Sequence, residues 1–464
     1  MNIRFATFLA AVAAVTGSVS TTTAYPSSYK VHSSVHRTLQ TAGTVNLIVT
    51  LGDGNEKVIE SFQEAAYVSR DIKIAALKDK LESAHQSLVG PVSKLLNQEA
   101  ATAEPLFSKF KTFWISNQVY IEAATFELVE KLVELPSVAD VREEVVAVSG
   151  KAALDADQAA KELVGYEWNV AKIGAPKVWA DGNIGQGVLV ASIGSGVRHT
   201  HETLARNFIG EKLGWYDAED PKGSTTPKDV GDGLGTHAMA IIAGSKGVGV
   251  APGASWMTCK GCRTDNCPES DLIACAQWIL CPPSAVLQND NWFKASVDAW
   301  EKADIVSIFQ AGDSGPACST VSSPGDYPNV ISVGSVSASN ALSAFGGKGP
   351  ALNKRVKPDI VAPGSRIRAA AGASDTDYMT KSSTSIAAAH IAGTVALLLS
   401  AQPDFLVSEV KVALYTTTDQ AGLSQTTASN LTCGATSDKV WPNNQFGHGL
   451  VNALNLYEGF RPSP

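Results

Sequence analysis

Basic residues are in the minority. Lys and Arg total 37 against 45 Asp and Glu, a formal net charge of -8. That balance excludes a general nucleic-acid or anionic-membrane binder, which would present a basic patch. No apolar run is long enough to span a bilayer, and there is no internal repeat or low-complexity segment. Two catalytic signatures are also missing. His201-Glu202 is not followed by a second histidine at helical spacing, which excludes that zinc-protease motif. Lys348 follows Gly346-Gly347 but lacks the upstream glycine of a phosphate-binding loop. What remains is ordinary globular material, 44% hydrophobic and 18% charged over 464 residues. That length is enough for about three domains, or for one large domain with an accessory piece.

Cysteine is scarce and odd in number: Cys259, Cys262, Cys267, Cys275, Cys281, Cys318 and Cys433. The spacing of the first three could suit zinc, but no histidine cluster follows, so disulfides are expected with one thiol left over. Disulfides need export. The N-terminus fits that requirement, with Arg4, an apolar stretch from Phe5 to Val15, and small residues Ser18, Ser20 and Ala24 for cleavage. Residues 1–24 therefore read as a signal peptide. Asn430-Leu431-Thr432 is an acceptor pattern for glycosylation at Asn430.

Periodicity divides the rest. TVNLIVTL (44–51) and VYIEA (119–123) alternate as half-buried strands do. TFELVEKLVEL (125–135) has helical spacing and stops at Pro136. DVREEVVAV (140–148) reads as another strand. Together these predict a small α+β unit over 25–150, then a polar linker at 151–164. Beyond it VLVASI (188–193), IVSIF (305–309), VISV (330–333) and DIVAP (359–363) are short apolar runs with helical segments such as ESDLIACAQWIL (269–280) between them. That alternation predicts a mostly parallel sheet buried on both faces, an α/β domain over 165–464. Ligands of such sheets bind beyond the carboxyl ends of the strands.

One stretch, SSTSIAAAHIAGTVALLL (382–399), places Ser385 ahead of a run that reads as a single buried helix. A serine there is either a cap or a nucleophile aided by the positive end of the helix dipole. His390 is not its base, because five residues along a helix put it roughly 7.5 Å up the axis on another face. It reads as a packed, hydrogen-bonded core histidine.

The stretch resembles the nucleophile motif of subtilisin-like serine proteases, usually Ser-Gly-Thr-Ser-Met-Ala-Ala-Pro-His-Val-Ala-Gly. GVGVAPGASWMTCKGC (247–262), SPGDYPNVISVGSV (323–336), KPDIVAPGSRIRAA (357–370) and FGHGLVNA (446–453) agree with it. The similarity covers roughly residues 165–455 and looks closest to the secreted subtilases of oomycetes. It implies a three-layer subtilisin-like domain with Ser385 as nucleophile. It also implies that the N-terminal unit is a ferredoxin-like propeptide, a folding aid and inhibitor.

The resemblance also locates the partners of Ser385, and there the chain departs from it. The acid position of Ile-Asp-Thr-Gly holds Gly194. The base position of His-Gly-Thr-His holds Leu234, leaving only the second histidine, His237. The oxyanion asparagine is replaced by Asp313 in Ala311-Gly312-Asp313-Ser314-Gly315-Pro316. Leucine has no nitrogen to take a proton, and loss of the base costs on the order of a millionfold in turnover, a magnitude measured in subtilisin itself. A carboxylate at 313 would repel a developing oxyanion, beyond the roughly 2.7–4 kcal/mol lost with the donor. Along the implied substrate pocket stand Asn291, Trp292 and Phe293, with Gln310, Ala311 and Gly312 opposite. Phe293 is expected to fill space meant for a substrate side chain, and Gln310 to crowd a wall that is usually small. His199 and His201 lie a few residues past Gly194, and a replacement base would have to reach hydrogen-bond distance of Ser385. His237 lies one turn from the base position and is expected to face the sheet.

The expectation is a secreted homologue of subtilisin-like peptidases that is catalytically silent and acts by binding. Its partners would be peptides or proteins, among them protease inhibitors and its own N-terminal unit, with neither nucleic acid nor membrane. The alternative is an active endopeptidase using Ser385 with an unusual base. No cofactor is expected. Calcium is common in the family that the chain resembles, but no residue set here places an ion.

Overall fold

The computed structural model describes residues 30–461 apart from 53, 63–69, 149–152, 155–164, 265, 281–292, 352–353, 425–431, 436 and 438. The signal segment, Cys281, Asn291, Trp292 and Asn430 lie outside the described residues.

The N-terminal unit runs α1 (Ser33–Ala42), β1 (Val45–Leu51), α2 (Glu56–Ser61), α3 (Arg70–Ala100), β2 (Lys109–Phe113), β3 (Gln118–Ala124), α4 (Phe126–Val133) and β4 (Val138–Glu143). Its four strands form one antiparallel sheet in the order β2-β3-β1-β4. The core order β1-α3-β2-β3-α4-β4 with that neighbour pattern is a ferredoxin-like split βαβ arrangement. Period-two alternation decides what each face does. Leu47, Val49 and Leu51 of β1 pack with Val92 and Leu96 of α3 and with Leu128 and Leu132 of α4. Ile48 points the other way, into a core shared with Trp278, Phe293 and Trp300 of the following domain. Thr125 caps α4 by accepting from the Leu128 N–H.

Two short strands, β5 (Val146–Val148) and β6 (Ala153–Leu154), lead out of this unit. The large domain then contains α5 (Trp168–Lys172), α6 (Ala175–Ala180), β7 (Leu189–Gly194), α7 (Glu211–Gly214), β8 (Trp215–Asp217), α8 (Leu234–Ala243), β9 (Ser255–Lys260), β10 (Asn266–Pro268) and α9 (Glu269–Leu280). It continues through α10 (Lys294–Lys302), β11 (Ile308–Gln310), β12 (Ile331–Val336), β13 (Ile360–Pro363), β14 (Ile367–Ala370), β15 (Tyr378–Ser382), α11 (Thr384–Ala401), α12 (Val407–Thr416) and α13 (Ala453–Phe460).

Strands β7-β9-β8 and β11-β12-β13 form two three-stranded sheets, parallel throughout. Their apolar runs are covered on both sides, as parallel strands require. Ala191 and Ile193 face a layer built from α9 and α10. Val190, Val333 and Val361 face the layer of α11 and its neighbours. The result is a three-layer α/β domain. Helix α11 has 18 residues and is apolar enough to span a bilayer by length and composition, which revises the sequence reading that no such run exists. Twelve of its residues are buried, however, and it is the central core helix packed on α8 and on β11, β12 and β13. Gly393 lets α11 come close: a Cβ there would lie 2.6 Å from Val250 Cβ.

Three disulfides join Cys259 to Cys275, Cys262 to Cys267, and Cys318 to Cys433. They bear out disulfides over zinc and leave Cys281 as the odd cysteine.

Candidate active site

Strands β7 and β11 end, and helices α8 and α11 begin, around one place. Ser383 is the N-cap of α11, so Ser385 lies in its first turn, half-buried. The Ser385 Oγ donates to Gln310 Oε1 at 2.6 Å, and the Ser385 N–H donates to Ser383 Oγ at 3.0 Å. Asp313 is tied to the first turn of α11. It accepts from Ser383 Oγ (2.6 Å), the Thr384 N–H (2.8 Å) and Thr384 Oγ1 (2.7 Å). A carboxylate at a helix N-terminus is favoured by the exposed N–H groups and the dipole, so the α11 first turn holds Asp313 as much as Asp313 holds it.

Gly194 ends β7 and Leu234 begins α8. They are tied together through their neighbours, because the Gly235 N–H donates to Ser195 Oγ at 3.0 Å. The Ser195 hydroxyl passes its own hydrogen to Asp229 Oδ1 at 2.7 Å. Asp229 also accepts from Thr236, and burial pushes its carboxyl above the usual range. Leu234 packs on the apolar cluster that contains Ile367 and Ile386. A Cβ added at Gly194 meets no atom within 4 Å. One ion pair bridges the two halves of the site: Lys381, fully buried on β15, reaches Asp232 Oδ2 at 2.7 Å.

All eight histidines fall among the described residues, and none of them hydrogen-bonds Ser385. His237 Nε2 donates toward the carbonyls of Ile367 and Met379, while its buried Nδ1 has no partner among the described residues. Burial, helped by the charge of Lys381, pushes its pKa down to about 3. His390 donates from Nδ1 to the Ile386 carbonyl and accepts at Nε2 from Asn169, as a core histidine does. His201 bonds Thr203 and the Asp377 carbonyl, and the His199 ring lies tilted against Phe208, centroids 5.4 Å apart.

Phe293 is 2% exposed and packs edge-on against Trp300 and Phe309, with ring centroids 5.2 and 5.8 Å away. Ala311 and Gly312 are buried behind Gln310. Among the described residues no group of three or more His, Cys, Asp or Glu side chains is placed to hold a metal ion.

The pattern that defines the Subtilase family matches residues 185–449, more than half of the chain. The chain belongs to the subtilase family. Bacillopeptidase F of Bacillus subtilis (strain 168) is 30% identical over 443 residues, covering 85% of this chain and 29% of its own length. Subtilisin E of the same organism is 31% identical over 323 residues, 66% of this chain and 77% of its own. Subtilisin-like protease 1 of Trichophyton rubrum is 30% identical over 256 residues, 50% of this chain and 46% of its own. This subtilase therefore spans less than a third of bacillopeptidase F but most of subtilisin E.

Two contacts of the subtilase's site were missed in the sequence. Ser383 stands where the family motif carries glycine, a difference visible in the quoted stretch but silent until its hydroxyl is seen on the Ser385 N–H. Lys381 and Asp232 are 149 positions apart, and no spacing rule joins residues that distant.

Proposed function

We propose that this subtilase is a secreted, catalytically silent homologue of the serine peptidases, acting by binding peptides, protease inhibitors or proteases. One observation carries the reading. The Ser385 hydroxyl gives its hydrogen to a carboxamide oxygen at 2.6 Å. A carboxamide accepts a hydrogen bond but is far too weak a base to take the proton, whereas general-base catalysis needs a group that titrates near the working pH. With glycine at the acid position and leucine at the base position, nothing generates the serine alkoxide. The Asp313 carboxylate, held by the first turn of α11, supplies no donor for an oxyanion. Secretion is supported by the three disulfides, which persist in oxidising compartments.

A fluorophosphonate probe on the purified full chain tests this. Ser385 is expected to stay unlabelled, and heat-sensitive labelling would overturn the reading. The second reading, an active endopeptidase, is favoured by the family itself. It predicts casein turnover that persists through purification and disappears in Ser385→Ala.

A further inference from the structure

Both polar hydrogens of Ser385 are already committed, and to side chains that lie outside the missing acid and base. The hydroxyl hydrogen goes to Gln310 Oε1 at 2.6 Å. A serine hydroxyl has one hydrogen, so while it is donated there it cannot be donated to an imidazole. The backbone N–H goes to Ser383 Oγ at 3.0 Å. Ser383 in turn spends its only hydrogen on Asp313 Oδ2 at 2.6 Å, which leaves its lone pairs for the Ser385 N–H. The Asp313 carboxylate is anchored by two further bonds from Thr384, and hydrogen bonds to an ionised acceptor are the strong ones.

We propose that Gln310 and Ser383, anchored by Asp313, form a clamp that disarms Ser385 independently of the absent base. Gln310 and Ser383 are then positioning residues: one fixes the hydroxyl and the other fixes the N–H that a reacting carbonyl would need. The proposal rests on the reading of a silent site and adds that restoring acid, base and oxyanion asparagine is not enough to awaken it. Asp313→Asn alone loosens the clamp only in part, because Ser383 still sits beside the Ser385 N–H and Gln310 is untouched. A serine that is merely a helix cap predicts otherwise, since glycine replaces a cap at little loss and leaves Ser385 reactivity unmoved.

The test uses the full chain carrying Gly194→Asp, Leu234→His and Asp313→Asn, alone and with Gln310→Ala, Ser383→Gly or both, each shown folded by thermal melting. The readout is the second-order rate of Ser385 labelling by a fluorophosphonate. The clamp predicts little labelling in the triple variant. Each added substitution should give a rise of about a hundredfold, the size of effect that one oxyanion contact has. The awakened variants should also show a pH profile set by one imidazole. Equal rates in the triple and fivefold variants, whether high or nil, overturn the clamp. Labelling of the unaltered chain instead overturns the silent-site reading, so the two failures are distinct.

A second measurement needs no back-substitution. The Ser385 N–H lies in the first helical turn and has no intrahelical partner, so its protection from hydrogen exchange reports the bond to Ser383. Ser383→Gly should cut that protection by about tenfold or more, whereas unchanged protection would overturn the clamp.

Discussion

Gly194 and Gly196, two residues apart, answer substitution in opposite ways. A Cβ at Gly194 enters open space, so Gly194→Asp should change stability by less than about 1 kcal/mol, as surface-like substitutions do. Gly196 has φ +95° and its Cβ would collide with the Lys228 carbonyl oxygen. Gly196→Ala should cost more than about 2 kcal/mol or abolish folding. Urea unfolding of the two variants checks the pair. Histidines give the pH dependence. Burial pushes His237 down to about 3 and His390 down to about 4, against about 6.5 in an unfolded chain. The unfolded chain therefore binds protons that the fold refuses. This stability is full above about pH 6.5 and is lost as the pH falls toward 4, by up to about 1.4 kcal/mol per pH unit for each ring. The urea midpoint should drop between roughly pH 7 and pH 5, and His390→Gln should flatten the slope. At this scale Ser385 and the core role of His390 were legible, because both follow from position on one helix. The grip of Gln310 on Ser385 was not, because it joins residues 75 positions apart.

Among the elements, β4 and α9 meet through a pair of charges. Arg142 and Glu269 form a two-pronged ion pair at 3.1 Å, the side chains 3% and 0% exposed, and Glu269 also accepts from the Val145 N–H. Burial raises the Glu269 pKa well above the usual range and lowers that of Arg142. Taking away one partner strands the other, so Arg142→Ala should cost about 3–5 kcal/mol. The double variant Arg142→Met with Glu269→Leu should regain most of that loss, which a double-mutant cycle in urea would measure. Short apolar runs were good guides to elements: ESDLIACAQWIL is helix α9 over the same twelve residues, and VISV and DIVAP lie on β12 and β13. DVREEVVAV was read as one strand but is two. It breaks after Glu143, where β4 leaves its sheet and β5 joins β10, and the Glu144 carboxylate accepts from the Ser270 N–H. That partner is 126 positions away. The 31-residue helix α3 escaped notice because its apolar residues divide between two cores. Leu77 and Leu81 go to one, and Val92 and Leu96 to the other.

For the molecule as a whole, the question is whether the N-terminal unit stays. Its sheet shares an apolar core with the large domain, and its exit strand β5 pairs antiparallel with β10, Val146 to Val148 against Pro268 to Asn266. Within the stretch read as a linker, Ala153 and Leu154 pair with Ser382 and Lys381 of β15, three and four residues before Ser385. Val148 and Ala153 are five residues apart, so the chain between them reaches at most about 18 Å. Both strand edges thus lie on the large domain, and β6 lies beside the residues that lead into Ser385. An active peptidase held in that position would meet its own backbone, and a silent one would leave it whole. Purified full-length protein, and Ser385→Ala beside it, should both show the mass of a chain that retains residues up to and past 150. Intact-mass measurement and N-terminal sequencing check this. Should pure recombinant protein begin near Leu163 while Ser385→Ala does not, Ser385 cuts the chain, and the silence assigned to Gln310, Ser383 and Leu234 is wrong. Should both begin there, a contaminating protease has reached the stretch, and the buried Arg142–Glu269 pair would still hold the two pieces together on gel filtration.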